Sequence, residues 1–106
     1  MSHHLLIRDK DRIALEQLLA RYLPSVTAWA YGSRVNGRAH DASDLDLVLR
    51  STDLSPIPFS EMEAFVSAVR ESTIPILIEA RDWARLPVSF HEEIEKKYVV
   101  VREGRR

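Results

Sequence analysis

Asp44 and Asp46 are separated by a single residue and open a short apolar run, Leu45 to Arg50. Side chains on a strand alternate faces, so residues two apart point the same way, with Cα atoms roughly 6.5–7 Å apart. Two carboxylates held in this way can converge on a hard cation. Mg2+ takes one or two carboxylates and fills its octahedron with waters and substrate phosphates. A pair of such ions about 3.5–4 Å apart clamps the attacking and leaving oxygens of an in-line displacement at phosphorus. Leu45, Leu47 and Leu49 fall on the other face of the strand and read as core.

Ten residues lie between Ser33 and Asp44. Gly32 directly follows a β-branched and aromatic run, and a glycine there lets the backbone approach a phosphate closely. Ser33 adds a hydroxyl donor, and a helix opening after the turn would aim free N–H groups at the same point. Gly37 permits a second tight turn. Gly32 and Ser33 therefore read as a triphosphate cradle that faces the Asp44 and Asp46 carboxylates. Arg34 follows the turn and is either a contact to leaving pyrophosphate or a solvated arginine. Either half alone is a common chance pattern; the two together, each beside a predicted strand, make the chemical reading specific.

These residues need elements to hold them. Asp9 can cap a helix from about Lys10 to Tyr22 with Ile13, Leu15, Leu18, Leu19 and Tyr22 as its apolar stripe. Val26 to Tyr31 reads as a strand, Arg34 to Ala42 as a short helix plus loop, and Leu45 to Arg50 as a second strand. Pro56 and Pro58 mark a surface loop. Phe59, Met62, Phe65, Val66 and Val69 mark a helix ending near Glu71. Ile74 to Ala80 reads as a third strand, and Ser89 with Glu92 forms a capping-box pattern for a helix over Phe90 to Lys97. Tyr98 to Val101 is compatible with a last strand or with the buried end of that helix. The order predicts an α/β (α+β) fold, a small mixed sheet flanked by helices.

Bulk properties narrow the class. A chain of 106 residues argues for one domain spanning 1–106. With 45% hydrophobic and 29% charged residues it lacks the signature of disorder. The net charge of -1 gives no general attraction to polyanions, so direct nucleic-acid binding is not expected. The absence of cysteine excludes disulfides and thiolate metal sites. No apolar run approaches the roughly 20 residues of a membrane span, and the start of the chain is too short and polar for a signal peptide. A cytoplasmic location is expected. Arg38 and His40 read as solvent-facing, His3 and His4 as a mobile terminus, Arg102, Arg105 and Arg106 as a solvated tail, and Trp29 as core or interface.

The run Trp29-Ala30-Tyr31-Gly32-Ser33-Arg34-Val35-Asn36-Gly37-Arg38, closing with Ser43-Asp44-Leu45-Asp46-Leu47, resembles the signature of the DNA polymerase β-like nucleotidyltransferases. In particular it is similar to the minimal nucleotidyltransferases, MNT, encoded beside HEPN-domain proteins. The likeness extends through Arg81-Asp82-Trp83-Ala84-Arg85 to the Tyr98 to Val101 tail. It implies transfer of a nucleoside monophosphate, AMP above others, from ATP or another NTP, with two Mg2+ ions. Several members are antitoxins that adenylylate a HEPN toxin on a tyrosine, so a helical HEPN partner is implied, within a homodimer or heterotetramer. By the same likeness Gly32 and Ser33 hold the triphosphate, and Asp44 and Asp46 hold the metal. The third carboxylate, usually aspartate, falls at Glu79, and Asp82 is its fallback. The extra methylene of Glu79 matters, because a misplacement of about 1 Å can cost 10²-fold in rate. Two other readings stand beside this one: a binding-only antitoxin with weak or vestigial catalysis, and a transferase acting on a small molecule of the aminoglycoside type.

Overall fold

Leu15 and Leu19, one helical turn apart, are fully buried and fix α1 (Asp9–Tyr22) against the rest of the chain. The computed structural model describes residues 5–36 and 44–105. The expectations for His3, His4, Gly37, Arg38, His40 and Arg106 lie outside those residues. The cap expected at Asp9 sits one residue earlier: Arg8 holds the extended cap position and no side chain bonds the free N–H groups. Asp9 and Asp11 instead place negative charge in the first turn, where it meets the positive end of the helix dipole. Ile13 does not belong to the buried stripe and is 54% exposed. At about 100° per residue it lies some 200° round the helix from Leu15. Asp11 takes a buried place, paired with Arg8 at 3.1 Å.

Four strands follow the expected order: β1 (Thr27–Tyr31), β2 (Leu45–Arg50), β3 (Ile78–Asp82) and β4 (Val99–Arg102). Their spatial order is β3-β2-β1-β4. β1 runs antiparallel to β2 and β4, whereas β2 and β3 are parallel and joined by the crossover helix α3 (Phe59–Arg70). The mixed sheet with flanking helices is therefore present. A short helical turn, α2 (Ser33–Asn36), follows β1, and α4 (Val88–Lys96) precedes β4.

Three local expectations shift. β3 begins at Ile78, not Ile74, and continues through Arg81 and Asp82. Pro75 has no N–H for a ladder, and among the described residues the ladder-like bond of this lead-in is Leu45 N–H to the Leu77 carbonyl, at 2.9 Å. The α4 helix starts at Val88 with Pro87 at its cap position, and Ser89 supplies no cap bond. Proline presets the backbone for a helix start without a side-chain cap. Tyr98 to Val101 resolves as strand, because Lys97 leaves the helix with φ -161 and ψ 112.

The sheet separates two cores. Ala28, Ala30, Leu45, Leu47 and Leu49 face α1 and α3 and pack with Leu15, Leu19 and Phe65. The other face carries a smaller cluster of Trp29, Val48, Trp83 and Ile94 beneath α4. Trp29 stacks on Tyr98 with ring centroids 3.9 Å apart and meets Trp83 edge-on at 5.5 Å. Aromatic pairs of this kind add about 0.5–1.5 kcal/mol beyond their buried area. Tyr31, Asp46, Glu79 and Arg81 share this second face with the aromatic cluster. Among the described residues, no helix is long and apolar enough to cross a membrane.

Candidate active site

The register of the sheet brings three polar side chains into one row. Tyr31 of β1 pairs with Asp46 of β2, and Asp46 pairs with Glu79 of β3. Directly opposed residues share a face, so the row crosses three adjacent strands with its side chains pointing the same way. Asp44 immediately precedes β2 and is close enough for its charge to act on Asp46. Asp44, Asp46 and Glu79 thus gather on one surface from two parts of the chain.

Arg81 lies two residues beyond Glu79 on the same strand and completes the group. Its Nη1 donates to Tyr31 Oη at 3.2 Å and to Asp46 Oδ1 at 3.5 Å, and its Nη2 donates to Glu79 Oε2 at 3.2 Å. Burial pushes the Asp46 carboxyl above the usual carboxylate range. Arg81 opposes that rise, while the negative charges of Glu79 and Asp44 add to it. The Tyr31 phenol is raised above its ordinary value by burial, again against Arg81 and with Asp46 and Glu79 adding to it. Sequence reasoning missed Arg81 because it ended β3 at Ala80. The signal was the i, i+2 spacing from Glu79, which on a longer strand places both residues on one face.

Gly32 closes the other side of Asp46. Its φ is +82, and a Cβ built there would stand 2.6 Å from Asp46 Oδ2. Glycine is therefore required twice, by the left-handed backbone and by the carboxylate lying against it. Ser33 opens α2, and the Val35 N–H returns to the Gly32 carbonyl at 3.0 Å. Arg34 is buried, not the solvated arginine that the sequence also allowed. Its Nη1 donates to the Leu6 carbonyl at 2.6 Å, and the Leu6 N–H returns to the Arg34 carbonyl at 2.8 Å. This double clasp ties the turn to the segment before α1. A cleft of about 260 Å³ opens between the turn and α4, lined by Tyr31, Gly32, Phe90, Glu93, Ile94 and Lys97.

Over 97 residues the chain is 36% identical to the Haemophilus influenzae protein named "Probable protein adenylyltransferase MntA", covering 92% of this chain and 83% of the relative. The chain belongs to the minimal nucleotidyltransferase family. As a member of that family it is an enzyme, a nucleotidyltransferase. Its fold matches a crystal structure of a toxin–antitoxin with AMP-PNP, with a TM-score of 0.71 at 13% identity over 92% of this chain and 76% of that one. No protein-family model matches the chain.

A minimal nucleotidyltransferase with hard oxygen donors at Asp44, Asp46 and Glu79 has the chemistry for Mg2+. Among the described residues, no group of three or more acidic or imidazole side chains is placed to hold a metal ion by itself. Mg2+ seldom relies on such a group alone, since phosphates and water supply much of its shell. The guanidinium of Arg81 shows where positive charge is welcome, between Asp46 and Glu79. The donor set fits.

Asp82, the fallback acid, takes no part in this row. It is buried and accepts from the Ile57 N–H at 2.8 Å and the Ala84 N–H at 3.1 Å, and it pairs with Arg85. It caps the short turn Trp83–Arg85 and anchors the loop before α3. The role is structural.

Proposed function

We propose that this nucleotidyltransferase moves AMP from ATP to a hydroxyl on a partner protein, a helical HEPN-domain toxin, and so acts as the antitoxin of the pair. The observation that carries the reading is the row Asp46–Glu79, joined by Asp44 and set beside the Gly32 turn. A phosphate turn and convergent carboxylates on one sheet face are what phosphoryl-group transfer requires. The adenylyltransferase named among its relatives and the fold shared with a toxin–antitoxin support the acceptor class.

In this reading Gly32 and Ser33 hold the β- and γ-phosphates, with Arg34 bracing the turn from behind. Asp44, Asp46 and Glu79 are the residues that would hold Mg2+, which supplies charge neutralisation at the phosphates. The acceptor oxygen forms a bond to the α-phosphorus as the bond to the bridging oxygen breaks. Pyrophosphate leaves with that electron pair, and the acceptor proton passes to a carboxylate of the row or to solvent. Positioning and electrostatics carry most of the rate. The cleft beside Phe90 gives a nucleobase an apolar wall next to the phosphate turn.

A binding-only antitoxin is the second reading, and one observation favours it: Arg81 already engages both Asp46 and Glu79. Mass spectrometry of the helical partner after incubation with ATP, Mg2+ and this chain separates the two. A mass increase of one adenylyl group supports transfer. Inhibition of the partner without any adduct supports masking by contact and overturns the enzymatic reading.

A further inference from the structure

Arg50 ends β2 four residues beyond Asp46, on the same face and about 13 Å along the strand. Its guanidinium carbon stands 4.1 Å from the ring centroid of Trp29 and 4.6 Å from that of Trp83. Tyr98 stacks behind Trp29, and His91 stacks behind Trp83 at 3.7 Å, so both rings are themselves held. A guanidinium lies favourably on indole faces, but rings accept none of its directed N–H bonds well. Arg50 Nε is buried and has no hydrogen-bond partner among the described residues. Arg50 also makes no ion pair among those residues, unlike Arg81 and Arg85. A fixed guanidinium without an acceptor calls for an explanation.

A polar cavity of about 330 Å³ opens at Arg50, between the 25–27, 51–54 and 103–104 segments. Thr27 Oγ accepts from the Gly104 N–H at 3.0 Å, which leaves its own proton to donate. The hydroxyls of Ser51 and Thr52 are spent on the carbonyls of Ser55 and Ser25, at 2.6 and 3.1 Å. The walls are fixed. A Cβ on Gly104 would collide with the Ser25 carbonyl, and Arg102 Nη1 and the Arg105 N–H both donate to the Pro24 carbonyl. Glu103 is the acid that lines the cavity. Beside one cation and one anion, a doubly charged phosphate meets twice the repulsion from Glu103 that a carboxylate meets.

We propose that Arg50, braced between Trp29 and Trp83, is a second binding site of this chain and takes a carboxylate group. The guanidinium supplies charge and paired N–H donors to the two carboxylate oxygens, and the Thr27 hydroxyl supplies one more donor. The site stands at the end of β2 away from Asp44, and it does not depend on the transfer reading. A free small acid and a carboxylate on a protein chain share this chemistry.

The chain has two tryptophans, Trp29 and Trp83, and both touch Arg50, so intrinsic fluorescence reports on the site. Acetate is titrated into the full chain at constant ionic strength, with Mg2+ and a non-hydrolysable ATP analogue present to occupy the nucleotide site. Wild type should give a saturable change, with inorganic phosphate at least ten-fold weaker. Arg50→Met should lose saturation, and Arg50→Lys should bind at least ten-fold more weakly, since an ammonium neither stacks nor forks. Melting temperatures show whether each variant folds, and AMP transfer by a folded Arg50→Met should stay within two-fold of wild type. Should Arg50→Met not fold, the Arg50 Nε–Hε resonance of wild type decides by shifting with acetate or staying still. Two peptides then name the source, one with a free C-terminus and no acidic side chain, the other amidated and carrying a glutamate. Tighter binding of either than of acetate assigns a protein segment, and binding of acetate alone assigns a free acid. No saturable response, an unchanged response in folded Arg50→Met, a still Arg50 resonance, or phosphate binding as tightly as acetate would overturn the proposal.

Discussion

Gly32 carries no side chain where Asp46 fills the space: a Cβ on Gly32 would meet Asp46 Oδ2 at 2.6 Å. The Gly32 turn and the carboxylate row are therefore a single packed unit, although they come from different strands. Gly32→Ala should displace Asp46 and also strain a backbone at φ +82, at about 1–2 kcal/mol for a left-handed residue with a Cβ. A shift of about 1 Å at a reacting centre can cost 10²-fold, so transfer should fall by about that factor. Steady-state AMP transfer by Gly32→Ala checks this, and a variant within two-fold of wild type would show that the contact is idle.

Asp82 should behave as the opposite kind of acid. Replacing it with Ala orphans the buried Ile57 N–H and the turn at Ala84, at about 1–3 kcal/mol per unsatisfied group. Asp82→Ala should lower the urea midpoint clearly while keeping transfer within a few-fold at low temperature, where it stays folded. A stable but inactive Asp82→Ala would return this residue to the site.

How far the sequence revealed this arrangement depends on whether the information was local. The strand over Leu45 to Arg50 was legible from alternation alone, with Leu45, Leu47 and Leu49 buried on one face and Asp46 on the other. The Gly32 turn was equally legible, since one glycine after an apolar strand is a local signal. Glu79 was found only through a resemblance, because its placement depends on a parallel pairing formed across a crossover. Arg81 was missed for the same reason, compounded by a strand end set too early at Ala80. Ile13 misled because it is apolar without lying on the buried face of α1, and the solvated reading of Arg34 failed because its partner, the Leu6 carbonyl, is far away in sequence.

Metal-free protein should also reveal the charge on Asp46. Burial raises this carboxyl above its ordinary value, Arg81 opposing. A raised acid contributes stability that is fully present below its unfolded pKa of about 4 and is lost as pH rises through the folded value. Asp46→Asn cannot titrate. With chelator present, the stability difference should move in favour of the variant as pH climbs from about 4 to about 7, the loss in wild type being the linkage term. Denaturant midpoints across that range measure it, and a difference that stays flat or moves toward wild type would contradict the raised carboxyl.

Asp44, immediately before β2, carries the transfer reading most directly. Wild type and Asp44→Asn should be matched for melting temperature, then each incubated with ATP, Mg2+ and the helical partner, and the adenylyl adduct quantified by intact mass. The account predicts equal folding and a loss of transfer of about 10²-fold or more, the scale seen when one electrostatic group is removed from a reacting centre. Undiminished adduct from a folded Asp44→Asn would contradict it.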